Sequence, residues 1–296
     1  MVDETGRMTI SSRTLLHTLG SILSVFGVAF VVLQIARYGS ELDVDVRNNR
    51  FWVIVALCSF IYATANLLLV SAWAGLLRHL GPEVTGRLAL TIYGTTLPAK
   101  YIPGNIMHLA GRQAVGVANG IDGWALARAT LFELALIITA GVPFAFLLMP
   151  QLTSCATPLF STGLFVATSI GMTVSIRMVL GYGPSAAFLK QLLFLAVSAS
   201  VFVALMTVIL DEPEMPLSRI ATISGGFVIA WVAGLVTPGA PAGAGVRELI
   251  LMTSLSTLAE GPAILTAALL SRLVTILGDT LFFVFSVLAT REERQD

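Results

Sequence analysis

The sequence predicts an all-α, polytopic membrane protein made of two inverted halves, each carrying a re-entrant hairpin. Three observations carry that prediction. Of 296 residues, 56% are hydrophobic and only 11% charged, with a mean hydropathy of +0.88, whereas a soluble domain is about 25% charged. Long runs lack Asp, Glu, Lys and Arg altogether: 14–36, 51–77, 134–176, 191–210 and 220–246. Two Pro-Gly segments with matched spacing, "LPAKYIPGNIMHLAGR" and "VTPGAPAGAGVR", interrupt the apolar pattern at corresponding places.

The elements follow in order. About 20 apolar residues cross a bilayer core as a helix, so 14–36 is read as the first span. Its apolar run is too long for a cleaved leader, and it is expected to stay as an anchor. The second span is 51–77, where Asn66 reads as a polar link between helices. Residues 134–176 must hold more than one crossing, and the polar stretch 151–157 between Pro150 and Pro158 divides them, giving spans at 125–148 and 158–176. Further spans are expected at 191–210 and 262–289.

Lys and Arg near span ends set orientation. Arg7, Arg13, Arg78, Arg87, Arg177, Lys190, Arg291 and Arg294 mark the cytoplasmic side, while 151–157 and the acidic 211–216 mark the outside. Arg37, Arg47 and Arg50 sit in a loop that alternation places outside. Both termini are then cytoplasmic, in a cell inner or plasma membrane. On this count, residues 88–122 enter and leave from the cytoplasm and 218–261 enter and leave from outside, each as a re-entrant hairpin or a pair of crossings, the first with too little continuous apolar length for two ordinary spans. The total is six spans plus two opposed re-entrant hairpins, in pseudo-repeats 14–150 and 158–290.

Each hairpin has Pro-Gly followed after seven residues by Arg: Pro103 and Gly104 before Arg112, Pro238 and Gly239 before Arg247. The following long helix carries one ionisable residue in its first half, Glu133 in one case and Arg272 in the other. Paired Gly/Pro-interrupted segments in inverted halves mark a transporter's substrate site near the midplane. Broken backbone at that depth survives only where protein buries it or water fills a cavity. Gly239, Gly243 and Gly245 allow positive φ and close approach, and Pro238 and Pro241 stop the helix. A helix restarting after Gly245 would present N–H donors and a partial positive charge to an anion, with Arg247 as a bidentate clamp. The same logic puts Pro103, Gly104 and Asn105 before a helix bearing His108 and Arg112.

Structural readings stand beside these. Arg112 and Arg247 either face a polar cavity or snorkel to headgroups. Glu133 either lines a pathway, as intramembrane ionisable groups usually do, or pairs with Arg128 near the span end. Arg272 and Asp279, seven residues apart, either pair with each other or serve substrate. Glu248 balances Arg247 or carries a proton. His108 reads as packed or hydrogen-bonded more readily than as a relay. Cys58 and Cys155 read as packing residues. No metal or cofactor is expected, and a zero net charge offers no nucleic-acid surface.

"KYIPG" with its downstream Arg, the Glu of "LFEL", "PGAPAGAGVRE" and "LLSRLVTILGD" together resemble the lysylphosphatidylglycerol synthase transmembrane region, or flippase-like domain family, over nearly the whole chain. Ala240 and Pro241 replace the glycine-rich continuation usual in that family. The resemblance implies translocation of a lipid or lipid-linked intermediate between leaflets. It does not imply lysine transfer, because 296 residues leave no room for the transferase domain. Proposed ligands of the anionic headgroup are Arg112 and Arg247, with Glu133, Glu248 and Arg272 tuning charge. The expected partner is a membrane lipid or polyprenyl-phosphate-linked species, with a second copy or a biosynthetic enzyme as further partners. Two other classes stay open: an accessory subunit of a lipid or envelope-glycan enzyme, and an intramembrane transferase. His17, His79 and His108 are isolated and no paired acidic motif adjoins a span, so an enzyme is not expected.

Overall fold

A computed structural model describes residues 49–102, 106–153, 156–237, 243 and 245–291, with side chains described from Phe51 to Ala289. The first expected span, Arg7, Arg13 and Arg294, the side chain of Arg291, and Pro103, Gly104, Asn105, Cys155, Pro238, Gly239, Ala240 and Pro241 lie outside the described residues. All regular structure among the described residues is helical. An apolar chain in lipid must satisfy every backbone polar group within itself, and a helix does so segment by segment.

Helix α1, Asn49–His79, ends in Arg78 and His79. At about 1.5 Å per residue it is roughly 46 Å long, more than the hydrocarbon core requires. Thr85 caps the short α2, Gly86–Thr96, accepting from the Leu88 N–H at 3.2 Å. A 3₁₀ turn, Leu97–Tyr101, with Pro98 near its start, leads toward α3, Met107–Ala118. Asp122 caps α4, Gly123–Ala145, at 2.7 Å from the Ala125 N–H. Thr157 caps α5, Pro158–Leu180, and Gly181 at φ +90° turns directly into α6, Tyr182–Ile209. Then come α7, Leu217–Val236, α8, Val246–Leu255, and α9, Gly261–Arg291.

Among the described residues, six helical stretches are long and apolar enough to cross a membrane: Phe51–His79, Gly123–Leu152, Pro158–Leu180, Tyr182–Ile209, Leu217–Val236 and Gly261–Ala289. The chain is a multi-pass membrane protein. Five of them correspond to expected spans, and one does not. The expected span 14–36 is not among the described residues, and Leu217–Val236, expected as one arm of a re-entrant hairpin, has the length and composition of a full span. The loop at 151–157 also begins later, because Gln151 and Leu152 are still helical.

Helices α1, α6 and α9 pack on one another at the centre, around Trp73, Phe188, Phe194 and Phe202, each at most 1% exposed. Small residues let backbones approach, as lipid-embedded helices require. A Cβ on Gly278 of α9 would lie 2.8 Å from the Ser59 carbonyl oxygen of α1. Helix α5 is peripheral: only Ser161 and Ser169 are buried, and Leu159, Met178 and Val179 face outward. The short helices fold back on the long ones. Gly226 of α7 meets Ser254 and Leu255 of α8, Gly234 meets Arg247, and Arg219 Nη2 donates to the Leu258 carbonyl at 2.6 Å. So α7 and α8 run antiparallel, and the start of α7 lies beside the turn that follows α8.

Candidate functional site

Helices α1–α4, α6–α9 and the 3₁₀ turn line a partly open cavity of about 120 Å³. Apolar and aromatic groups make most of its wall, including Tyr62, Leu69, Phe194 and Trp231. Lys100, His108, Arg112, Glu133 and Arg247 bring the chemistry. Asn66, Glu133 and Thr275, all on the wall, lie well inside their helices rather than at the ends.

Three ion pairs lie in or beside it, one buried on both sides and two with one buried and one part-exposed partner. Arg112 Nη1 meets Glu133 Oε2 at 2.5 Å, and both residues are buried. The Tyr93 hydroxyl donates to the other carboxylate oxygen at 3.0 Å. The Arg112 guanidinium also lies 3.9 Å from the centroid of the Tyr93 ring and 5.6 Å from that of Trp73. Gln191 of α6 donates to the Glu133 backbone carbonyl at 3.0 Å, fixing α4 where the carboxylate emerges. In the second pair Arg272 Nε meets Glu248 Oε1 at 2.7 Å, while Glu248 Oε2 accepts from the Gly245 N–H at 2.8 Å. In the third, Asp279 of α9 takes Lys100 and the Tyr101 hydroxyl on one oxygen and Asn66 Nδ2, at 3.1 Å, on the other. Each carboxylate thus has a cation and at least one further donor, which a charge held away from water needs.

Arg247 differs. It is 7% exposed, its guanidinium lies 5.5 Å from the centroid of the Phe227 ring, and among the described residues it meets no carboxylate. Its stem crosses α7 at Gly234, where a Cβ would come within 2.7 Å of Arg247 Cγ. Gly243, at φ +73°, packs on the same glycine, and Gly245 at φ +87° opens α8. Burial and the neighbouring Arg272 pull Arg247 down to about 10, which leaves it cationic at neutral pH. Burial, then Arg112 and Lys100, hold His108 well below its usual value, so its imidazole is neutral there. The His108 Nδ1 is buried without a protein partner. Lys100, Arg112, Arg247 and Arg272 therefore face Glu133, Glu248 and Asp279: four cations against three carboxylates, leaving one positive charge among the described residues of the site.

Of the residues expected at the site, the structure brings Arg112, Glu133 and Arg247 onto one cavity. Glu248 and Arg272 form the adjoining pair, and Gly243 and Gly245 shape the turn into α8. Pro103, Gly104, Pro238 and Gly239 lie outside the described residues. Several expected pairings are replaced. Glu133 pairs with Arg112, and Arg128 is exposed near the start of α4. Arg272 pairs with Glu248 rather than Asp279, since seven residues of helix set Arg272 about 10 Å from Asp279 along the axis. Glu248 thus makes its ion pair with Arg272 while its charge still favours the neighbouring Arg247 at longer range, and its carboxylate accepts from the Gly245 N–H expected to be open to an anion. The residues sequence reasoning missed are Tyr93, Lys100 and Tyr101. Their signal was proximity, since Lys100 and Tyr101 stand just before Pro103 in the first motif.

Among the described residues no group of three or more His, Cys, Asp or Glu could hold a metal. No family model, curated protein or solved structure matches the chain.

Proposed function

We propose that this protein translocates an anionic amphiphile, a phospholipid or polyprenyl-phosphate-linked species, between membrane leaflets. One observation carries the reading: a buried arginine with no carboxylate partner among the described residues, Arg247, shares an aromatic-walled cavity with the Arg112–Glu133 pair inside a membrane bundle. Ionisable groups in that setting are costly and mark pathways. Cation and apolar wall together suit a charged headgroup with an attached chain.

The packing supports two inverted halves. Helix α2 of the first half packs on α9 of the second, and α7 of the second packs on α4 of the first; likewise α1 packs on α9 and α6 on α4. The charge pattern follows the same exchange. One short helix offers Arg112 to a Glu of the next long helix, and the other offers Glu248 to an Arg of the next long helix. His79 packs against Gly183, which gathers Arg78, Arg177 and Lys190 at one end of the bundle, the end proposed as cytoplasmic. The base of the α7–α8 hairpin, at Arg219 and Leu258, lies beyond the far end of α6. Two hairpins entering from opposite faces and meeting at mid-depth would let the cavity open to either leaflet by turns.

Leaflet exchange of fluorescent lipids in proteoliposomes tests this. Exchange that favours anionic over zwitterionic headgroups, and that falls at least about tenfold in Arg247→Gln and in Arg112→Lys with thermal unfolding unchanged, is the expected result. Lys keeps the charge at 112 but loses the two-pronged geometry of Arg. Absence of exchange for any lipid, in protein that unfolds cooperatively, would reject lipid translocation in favour of an accessory role.

A further inference from the structure

The charge count of the cavity carries one step more, and that step rests on the translocase reading. In a low-dielectric bundle an uncompensated charge is expensive. The site with its ligand should therefore sum to zero. Among the described residues Glu133 cancels Arg112, Asp279 cancels Lys100 and Glu248 cancels Arg272, while Arg247 remains. The residues at 103–105 and 238–242, next to the site in sequence, are Pro, Gly, Asn and Ala and add no charge.

We propose that the cavity selects a headgroup of a single negative charge, a phosphodiester monoanion, over a dianionic phosphomonoester or a zwitterion. A dianion would leave the bundle with one surplus negative charge, and a zwitterion would leave Arg247 uncompensated. A phosphodiester presents two unesterified oxygens, suited to an arginine fork. Its two ester oxygens lead away from the charge, and the cavity has apolar wall to receive what they carry: Leu109 of α3, Ile137 of α4 and Leu235 of α7. The neutral His108, whose Nδ1 has no protein partner, can hydrogen-bond that headgroup without altering the sum. Arg247 enters from the second hairpin and His108 from the first, so one headgroup would bridge the two.

Trp231 on the cavity wall is the reporter. The full chain in an uncharged detergent is titrated with three dihexanoyl lipids, and tryptophan fluorescence is followed: phosphatidylglycerol, phosphatidylcholine, and phosphatidic acid at about pH 8, where a phosphomonoester is largely dianionic. Half-saturation by phosphatidylglycerol at a concentration at least about tenfold lower than by either of the others is expected. Arg247→Gln makes the cavity neutral and should bring phosphatidylcholine level with phosphatidylglycerol. Asp279→Asn raises the cavity to two positive charges and should move the preference to phosphatidic acid. Wild-type preference for phosphatidic acid, or for a carboxylate monoanion such as oleate, overturns the phosphodiester assignment and leaves an anion translocase standing. Equal binding of all three lipids, with exchange that ignores headgroup charge, removes the reading of an anionic substrate and this inference with it. Loss of folding in one variant leaves the other, whose charge change has the opposite sign, to decide.

Discussion

At the scale of single residues, the site depends on charges that stabilise one another. Removing Arg112 would leave Glu133 buried with only the Tyr93 hydroxyl, and breaking a buried pair costs about 3–5 kcal/mol. Arg112→Met alone should therefore lower the unfolding midpoint strongly. The double variant Arg112→Met with Glu133→Leu should recover most of the loss, because apolar residues of similar volume often replace a buried pair without cost. Denaturant unfolding in detergent checks this, and a double variant as unstable as the sum of its singles contradicts it. Tyr101→Phe should cost less, about 1–3 kcal/mol, since Asp279 keeps Lys100 and Asn66 when that hydroxyl is removed. Arg112, Glu133 and Arg247 were legible in the sequence because a charge in an apolar run stands out. Their partners were not: Glu133 is 21 residues from Arg112, and Asn66 is 213 residues from Asp279. Helix periodicity within one segment carries no information about which distant segment packs beside it.

At the scale of elements, the turn into α8 is held by two glycines in different situations. Both have positive φ, yet a Cβ on Gly243 would sit 2.6 Å from Gly234 Cα, whereas a Cβ on Gly245 meets nothing within 4 Å. Gly245→Ala should therefore cost only the left-handed backbone penalty, about 1–2 kcal/mol. Gly243→Ala should cost clearly more, because backbone must also move and Arg247 must move with it. Thermal unfolding gives the order, and leaflet exchange should fall further in Gly243→Ala than its loss of stability explains. Equal effects would mean that the Gly234–Gly243 crossing does not position Arg247. Element boundaries show where reading by charge-free runs falls short. It started the α6 span at Gln191, because Lys190 ended the run, yet the helix begins at Tyr182. Pro184 fits there because its missing N–H falls in a first turn that has no intrahelical partner to offer. Lys190 stays within the helix by donating to the Ser71 carbonyl of α1 at 3.2 Å. The glycine breaks were legible for the converse reason, since Gly and Pro mark local backbone whatever lies around them.

At the scale of the whole molecule, the decisive question is whether the α7–α8 unit returns to the side it started from. Helix α7 has the length of a full crossing, about 30 Å over 20 residues, while α8 has half of it. Length alone would let the chain emerge on the far side after Val236. The hydrogen bond from Arg219 to the Leu258 carbonyl argues otherwise, because it fastens the start of α7 to the exit from α8. Glu83, Asn119, Glu214 and Glu260 lie in or beside the exposed connections at the bases of the two hairpins. With Cys58 and Cys155 replaced, single cysteines at these four positions can be challenged with an impermeant maleimide from either face of oriented vesicles. The inverted arrangement requires Glu83→Cys and Asn119→Cys to react from one face, and Glu214→Cys and Glu260→Cys from the other. If positions 214 and 260 react from opposite faces, α7 and α8 together make a net crossing and the two halves are not inverted. Alternating exposure of a midplane cavity would then lose its structural basis, even though Arg247 would remain buried beside it. If the four pair as required, the two hairpins open toward opposite leaflets. Arg247, the surplus cation among the described residues of the site, then sits where their inner ends meet, the place from which the proposed headgroup could leave on either side.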